Sequence, residues 1–544
     1  TLSYYTGDEK TDADLVEYLN SPNDGTNPNG GTDWAAERAG NGHTQPFGVK
    51  YFEVGNEIEH GDHKDIKKVL PEDYAQRYLK YYDAVKAVDP AVQVGVVLGN
   101  ARWDERVLEI VKDKVDFGII HTYPSPAWGE KLGSIPAKDI YQFSLARPMI
   151  QDEYSYREAL ALLKEKAGRD VPLAITEYNG GFVQEKPVPY RHALGTALLN
   201  AELLRIFMKP ENNILMANYW NFANEYWGMI ANGFDGRYET LNNPYYKRPN
   251  YYVFEMYREH FGDVLIEADV QSDSYDVAEY PAFSTTLIDR LKVGKTEGRN
   301  LAEGGWKIND FPGVTVLDEG GVLNLEFKAP EAFNYYHSVK RAVVDPDTHY
   351  RLSGYIKTDG LVDKDKNGVC LEAQDGRGWT KTHSAISTRK IKGTTDWQYV
   401  ETIYKTLPDA DAVTVIARRI GGTGPLQGKA YFRDVKLKKF IPDMDTEIPY
   451  LSVNASKSED GSKAYLMVVN KNLDSEMTAT IALKDFVPAN TGDAWILNGP
   501  AVDATNETDH NNVKITHNKF GIEGDAFQFT FEPHSLTAIE IRGK

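Results

Sequence analysis

Along residues 1–262, short continuous apolar runs alternate with segments whose apolar residues recur every three or four positions. The apolar runs fall at 2–5, 49–54, 92–98, 115–121, 171–177 and 214–222, and each reads as a strand. Between them, 71–88 reads as a helix, with Tyr74, Tyr78, Tyr81, Val85 and Val88 on one face. Residues 103–115, 156–166, 192–208 and 251–260 are further helices, and Thr11-x-x-Asp14 resembles a capping box opening a helix through Leu19. Residues 21–48, rich in Gly, Asn and Pro, read as a loop. Near-continuous apolar strands separated by helices predict a parallel sheet buried on both faces. Six strands are two short of the eight that close a (β/α)8 barrel. Three readings follow: a barrel whose first two strands lie upstream, a barrel completed by a second chain, or an open α/β sheet.

After about residue 263 the amphipathic helices give way to short alternating strands with Gly, Asp and Asn turns, the pattern of β-sandwiches. The expected organisation is a partial (β/α)8 catalytic barrel over 1–262 and a discontinuous accessory β-sandwich over 263–281 and 445–544. Between the two pieces of the sandwich, residues 282–444 form an inserted β-jelly roll.

Composition narrows the partners. With 61 basic and 80 acidic residues the chain carries a net charge of −19, which disfavours nucleic acid and anionic membrane and leaves neutral polysaccharide unopposed. No run of about 18 apolar residues suggests a membrane span. Cys370 is the single cysteine, so neither an intrachain disulfide nor a cysteine metal site is expected. The 33 tyrosines and 9 tryptophans suit large cores and also sugar-stacking surfaces.

Two carboxylates stand out. Glu57, after Phe52-Glu53-Val54-Gly55-Asn56, and Glu177, after Leu173-Ala174-Ile175-Thr176, both follow apolar runs. In a parallel barrel the C-terminal ends of the strands converge on one face, where active sites sit. Counting the run at 2–5 as the third strand, Glu57 ends the fourth and Glu177 the seventh. Glycoside cleavage needs such a pair, because the leaving oxygen takes a proton while the anomeric carbon takes a nucleophile or an activated water. The competing reading of each residue alone is an ordinary solvated glutamate.

The run Val49-Lys50-Tyr51-Phe52-Glu53-Val54-Gly55-Asn56-Glu57 resembles the acid/base strand of clan A glycoside hydrolases. Asp14-Leu15-Val16-Glu17-Tyr18-Leu19-Asn20, the stretch Trp34 to His43, and Ile175-Thr176-Glu177-Tyr178-Asn179 narrow the resemblance to family 51, the α-L-arabinofuranosidases, over about residues 1–280 and 447–544. The resemblance implies a retaining enzyme with Glu57 as general acid/base and Glu177 as nucleophile. It also implies that Asn56 meets the sugar 2-hydroxyl, that Tyr123 donates to the nucleophile, that His121 belongs to the site, and that Trp220 floors it. Substrates would be arabinoxylan or arabinan. The aromatic stretch 218–227 keeps open an endo-β-1,4-glucanase or xylanase acting on β-glucan or xylan, and a non-catalytic polysaccharide-binding protein is the reading from another class. No cofactor and no metal are expected, and secretion to the extracellular space is.

The insert resembles a carbohydrate-binding module of the 4/9 type in Tyr350 to Asp359, Gly393-Thr394-Thr395-Asp396-Trp397, and Gly428 to Val435. Tyr335, Tyr336 and Trp379 are the candidate stacking residues, and Trp397 is expected in the core. Asp363-x-Asp365-x-Asn367-Gly368 imitates the start of a calcium loop, but Gln374 occupies the twelfth position, so a hairpin turn is expected. His60, Asp62 and His63 read as solvated, and His192 as core. Asn454-Ala455-Ser456 and Asn506-Glu507-Thr508 are glycosylation sequons.

Overall fold

The computed structural model describes residues 1–61, 69–124, 135–181, 188–224, 226–231, 245–277, 293–329, 333–363, 368–421, 424–443, 445–524 and 526–544. Asp62, His63, Asp365 and Asn367 lie outside them. The chain forms two compact units, Thr1–Thr286 with Thr446–Lys544, and Leu287–Asp445.

In the first unit, β1 (Tyr51–Glu53), β2 (Gln93–Val97), β3 (Phe117–Thr122), β4 (Leu173–Tyr178) and β5 (Ile214–Tyr219) pair in that order, all parallel. Leu2 adds a sixth position through a parallel bridge to Val54. The run at 2–5 contributes only this bridge, because Tyr4 and Tyr5 already turn away. Among the described residues β5 and Leu2 are opposite edges of the sheet and do not pair with each other, so the sheet is a half-barrel.

Helices pack on its outer face. In α3 (Pro71–Val88) the Tyr74 hydroxyl donates to Val54 O at 3.0 Å and accepts from Val97 N at 2.9 Å, and the Tyr78 hydroxyl donates to Val94 O at 3.2 Å. The tyrosine stripe is therefore core, with each buried hydroxyl satisfying a strand backbone group. Asp8, not Thr11, caps α1 (Glu9–Asn20), its carboxylate accepting from Thr11 N. A short helix, α2 (Trp34–Gly40), capped by Asp33, lies within the stretch expected to be loop. The remaining helices are α4 (Ala101–Val111), α5 (Ala137–Arg147), α6 (Glu153–Ala167), α7 (Leu194–Phe207) and α8 (Pro249–Glu259). His192 precedes α7 in a single 3-10 turn, buried.

The same unit holds a β-sandwich whose strands come from both sides of the insert. Val264–Ile266 pairs with Leu451–Lys457, and Ser274–Asp276 with Glu447–Pro449. Asn454 and Asn506, the sequon asparagines, are buried.

The second unit is two antiparallel sheets over a core that includes Leu325, Phe327, Leu352, Val415 and Phe432. Tyr335 is a correction: it lies in that core, fully buried, with its hydroxyl 2.7 Å from Ser338 Oγ, and presents no face to a ligand. Tyr336 and Trp379 are half exposed. Trp397 is partly buried, with the Arg433 guanidinium 4.2 Å above its ring centroid. Among the described residues no helix is long and apolar enough to cross a membrane.

Candidate active site

Glu57 and Glu177 meet at the C-terminal end of the sheet. After β1 the chain turns sharply: Gly55 has φ +86° and a Cβ there would lie 2.6 Å from Ile58 Cγ1. Glu57 itself is held at φ +48°, a left-handed conformation rare for a residue with a side chain and found where a site over-determines the backbone. On the other side, the β3–β4 register slips. Ile120 faces Ile175, but His121 faces Glu177, leaving Thr176 as the extra residue. The slip brings His121 and Glu177 side by side, a use of strand irregularity common next to active sites.

His121 bridges the pair. Its Nδ1 lies 2.9 Å from Glu57 Oε1 and 3.6 Å from Glu177 Oε2, and its Nε2 lies 3.1 Å from Thr176 Oγ1. The Tyr123 hydroxyl donates to Glu177 Oε2 at 2.6 Å. One ligand atom from each of Glu57, His121 and Glu177 lies within 4.8 Å of the others. Such a set is also close enough to hold a cation, and the hydrogen bonds already join its members.

Burial raises Glu177 above the usual carboxylate range, and Tyr123's hydrogen bond and His121 pull it back only in part. For His121, burial works against the charged ring, yet the Glu57 hydrogen bond and the Glu177 charge outweigh it and leave the imidazole raised. Burial and the Glu177 carboxylate hold the Tyr123 hydroxyl far above its ordinary value, so it stays a donor.

A cavity of about 860 Å³ opens over these groups. Asn56, Glu57, Tyr123, Glu177 and Trp220 all line it, so those expected site residues converge, and His121 sits beside them. Trp220 is 41% exposed. Further lining residues went unassigned in the sequence, among them Glu53, Thr176 and Trp227. The aromatic density of 218–227 was the available signal for Trp227, whose ring lies 5.3 Å from that of Tyr123. Asn179 fastens this wall by donating to Trp220 O at 2.7 Å.

Residues 176–535 match the α-L-arabinofuranosidase C-terminal domain family, and residues 7–135 match the α-L-arabinofuranosidase 1 domain. The chain belongs to the α-L-arabinofuranosidase family. Both carboxylates of this α-L-arabinofuranosidase family member lie within the matched segments. The exo-α-(1→6)-L-arabinofuranosidase of Bifidobacterium longum is 30% identical over 194 residues, 34% of each chain. The intracellular exo-α-L-arabinofuranosidase of Bacteroides ovatus is 24% identical over 279 residues, 49% of this chain and 50% of that one. The chain thus spans a third to a half of the length of these curated relatives. An α-L-arabinofuranosidase from Thermotoga maritima in an arabinose complex shares the fold with a TM-score of 0.57 at 17% identity, covering 99% of this chain and 74% of that one.

Proposed function

We propose that the protein is a retaining α-L-arabinofuranosidase of glycoside hydrolase family 51, releasing arabinose from arabinoxylan or arabinan. The observation that carries the mechanism is the closeness of the carboxylates, with an oxygen of Glu57 within 4.8 Å of one of Glu177. Retaining enzymes place their carboxyl groups about 5–5.5 Å apart, whereas inverting enzymes need about 6.5–9.5 Å to admit water.

In the first step Glu57 gives its proton to the glycosidic oxygen while Glu177 attacks the anomeric carbon, forming a glycosyl ester. In the second step Glu57 takes a proton from water, which displaces Glu177. Tyr123 keeps Glu177 anionic by donating to it, and His121 holds the two carboxylates in place. Asn56, exposed on the cavity wall, meets the 2-hydroxyl, and Trp220 floors the sugar.

The half-barrel reads as strands three to eight of a (β/α)8 barrel, its open edges taking two strands from an upstream segment or a second chain. This reading is supported by the parallel order and by edges that do not pair with each other among the described residues. The inserted unit reads as a carbohydrate-binding module, supported by its two-sheet architecture and by exposed Tyr336 and Trp379. The Bacteroides ovatus relative is named an intracellular enzyme, which does not favour the expected secretion.

The test is a product profile on arabinoxylan and on a linear soluble β-glucan. Free arabinose with an unshortened backbone is expected, and it should vanish in Glu177→Ala. Glu57→Ala should slow turnover by about 10²–10⁴-fold. Oligosaccharides from the linear glucan would sink the assignment in favour of an endo-acting enzyme.

A further inference from the structure

The part of the cavity wall formed by Trp227 is held from the accessory sandwich. Trp227 lies in a turn between Asn224 and Gly228, where Asn224 Oδ1 accepts from Trp227 N at 2.5 Å and from Gly228 N at 2.9 Å. The turn is tight: a Cβ on Gly228 would lie 2.1 Å from Asn224 N. The buried Arg248 guanidinium spans its two ends, Nη1 donating to Asn224 O at 3.2 Å and to Gly228 O at 2.8 Å. The other edge of the same guanidinium grips Glu507, Nε to Oε1 at 2.7 Å and Nη2 to Oε2 at 3.1 Å. Tyr246 donates to Glu507 Oε2 at 2.8 Å.

Glu507 lies in the sandwich loop between the strands Pro488–Asn498 and Lys514–Gly521. That loop is fixed on the half-barrel. Val502 O and Ala504 O accept from Gly195 N and Leu194 N at the start of α7, and Asn506 Nδ2 donates to Lys247 O at 2.9 Å. The buried Arg191 guanidinium lies 3.4 Å from the Trp227 ring centroid, and its Nη1 donates to Tyr226 O at 3.0 Å. Trp227 in turn packs on Tyr123, whose hydroxyl donates to Glu177.

We propose that Glu507 is a positioning residue for the active site: by orienting Arg248 it fixes the turn that sets Trp227 against Tyr123, and so the hydrogen bond that Tyr123 gives Glu177. A bidentate carboxylate–guanidinium pair fixes geometry as well as adding energy, which a point charge would not. The proposal rests on the reading of Glu177 as nucleophile.

The test compares wild type, Glu507→Gln, Glu507→Ala and Tyr123→Phe, with circular dichroism checking the fold. The milder Gln variant keeps the test open should Ala not fold. Hydrolysis of 4-nitrophenyl α-L-arabinofuranoside is followed against pH. Both Glu507 variants should lower kcat about tenfold with KM within threefold, and move the acid limb of kcat/KM toward higher pH, in the same direction as Tyr123→Phe. A limb that moves in Tyr123→Phe but not in the Glu507 variants would overturn the proposal. Acrylamide quenching of Trp227 fluorescence, taken as the difference from Trp227→Phe in each background, gives a readout apart from activity. Quenching should rise in the Glu507 variants, and unchanged quenching would equally overturn it. An inactive wild type would sink the hydrolase reading instead, while quenching still decides whether Glu507 holds the turn.

Discussion

Glu177 has to be ionised to act as a nucleophile, yet its burial opposes ionisation. The sign of the pH dependence follows. Because its protonation is displaced upward, kcat/KM should fall with decreasing pH at a value above that of an ordinary glutamate. Tyr123→Phe removes a donor to the charged form, so the acid limb should move further up and activity at pH 5 should drop more than at pH 7. A limb unmoved by this change would remove Tyr123 from the mechanism. Behind the site, Asp104 is raised to about 7 by burial, with the nearby Glu59 adding to the effect and the hydrogen bond from Gly99 N opposing it. A raised carboxyl favours folding below its unfolded value and loses that contribution as pH rises through its folded value. Asp104→Asn should therefore change stability little at pH 4 and raise it at pH 8 by up to about 4 kcal/mol, read as a higher Tm at the alkaline pH alone.

At the scale of elements, α7 is tied to the sandwich by a buried ionic cluster. Glu202 and Lys471 are both fully buried with 3.5 Å between charged atoms, and Arg205 Nη2 lies 3.0 Å from Glu202 Oε2. Burial raises Glu202, but Arg205 and Lys471 overcome it and bring the carboxyl down to about 2. This stabilisation is present above the unfolded value and disappears as pH falls through about 2. Lys471→Met, which strips Glu202 of one partner, should cost about 3–5 kcal/mol in denaturant unfolding. A loss under 1 kcal/mol would mean that Arg205 alone satisfies Glu202.

Elements were legible where a pattern was forced. Pro71–Val88 announced itself because one face packs and the other is wet. Ala137–Arg147 did not, because Ile140 through Ala146 are all buried and no polar stripe marks the period. Tyr335 and Tyr336 are adjacent on one strand, so one must point inward, and an irregularity between Tyr335 and Ser338 settles which in a way no spacing reveals. Glu57 and Glu177 were legible because strand ends converge in a parallel sheet. Trp227 and Glu507 were not, since their roles arise from contacts between distant segments.

For the whole molecule, the two strands flanking the insert, Ser274–Asp276 and Glu447–Pro449, are hydrogen-bonded to each other. Val277 N also donates to Thr446 O at 2.9 Å. The described residues that flank the insert, Val277 and Thr446, are thus adjacent, and replacing residues 287–445 by a short Gly/Ser linker should leave the first unit folded. Hydrolysis of the small aryl substrate should be kept within about threefold of wild type, while retention on an arabinoxylan affinity gel is lost. Unchanged retention would refute the binding role of the insert.

Order of synthesis gives the clamp on the active-site wall a further meaning. Arg248 leaves the ribosome 259 residues before Glu507, with the whole inserted unit made in between. The half-barrel helices and both carboxylates are therefore complete well before the residue that holds Arg248 in place, and a nascent chain gains its finished wall only after the inserted unit has been made.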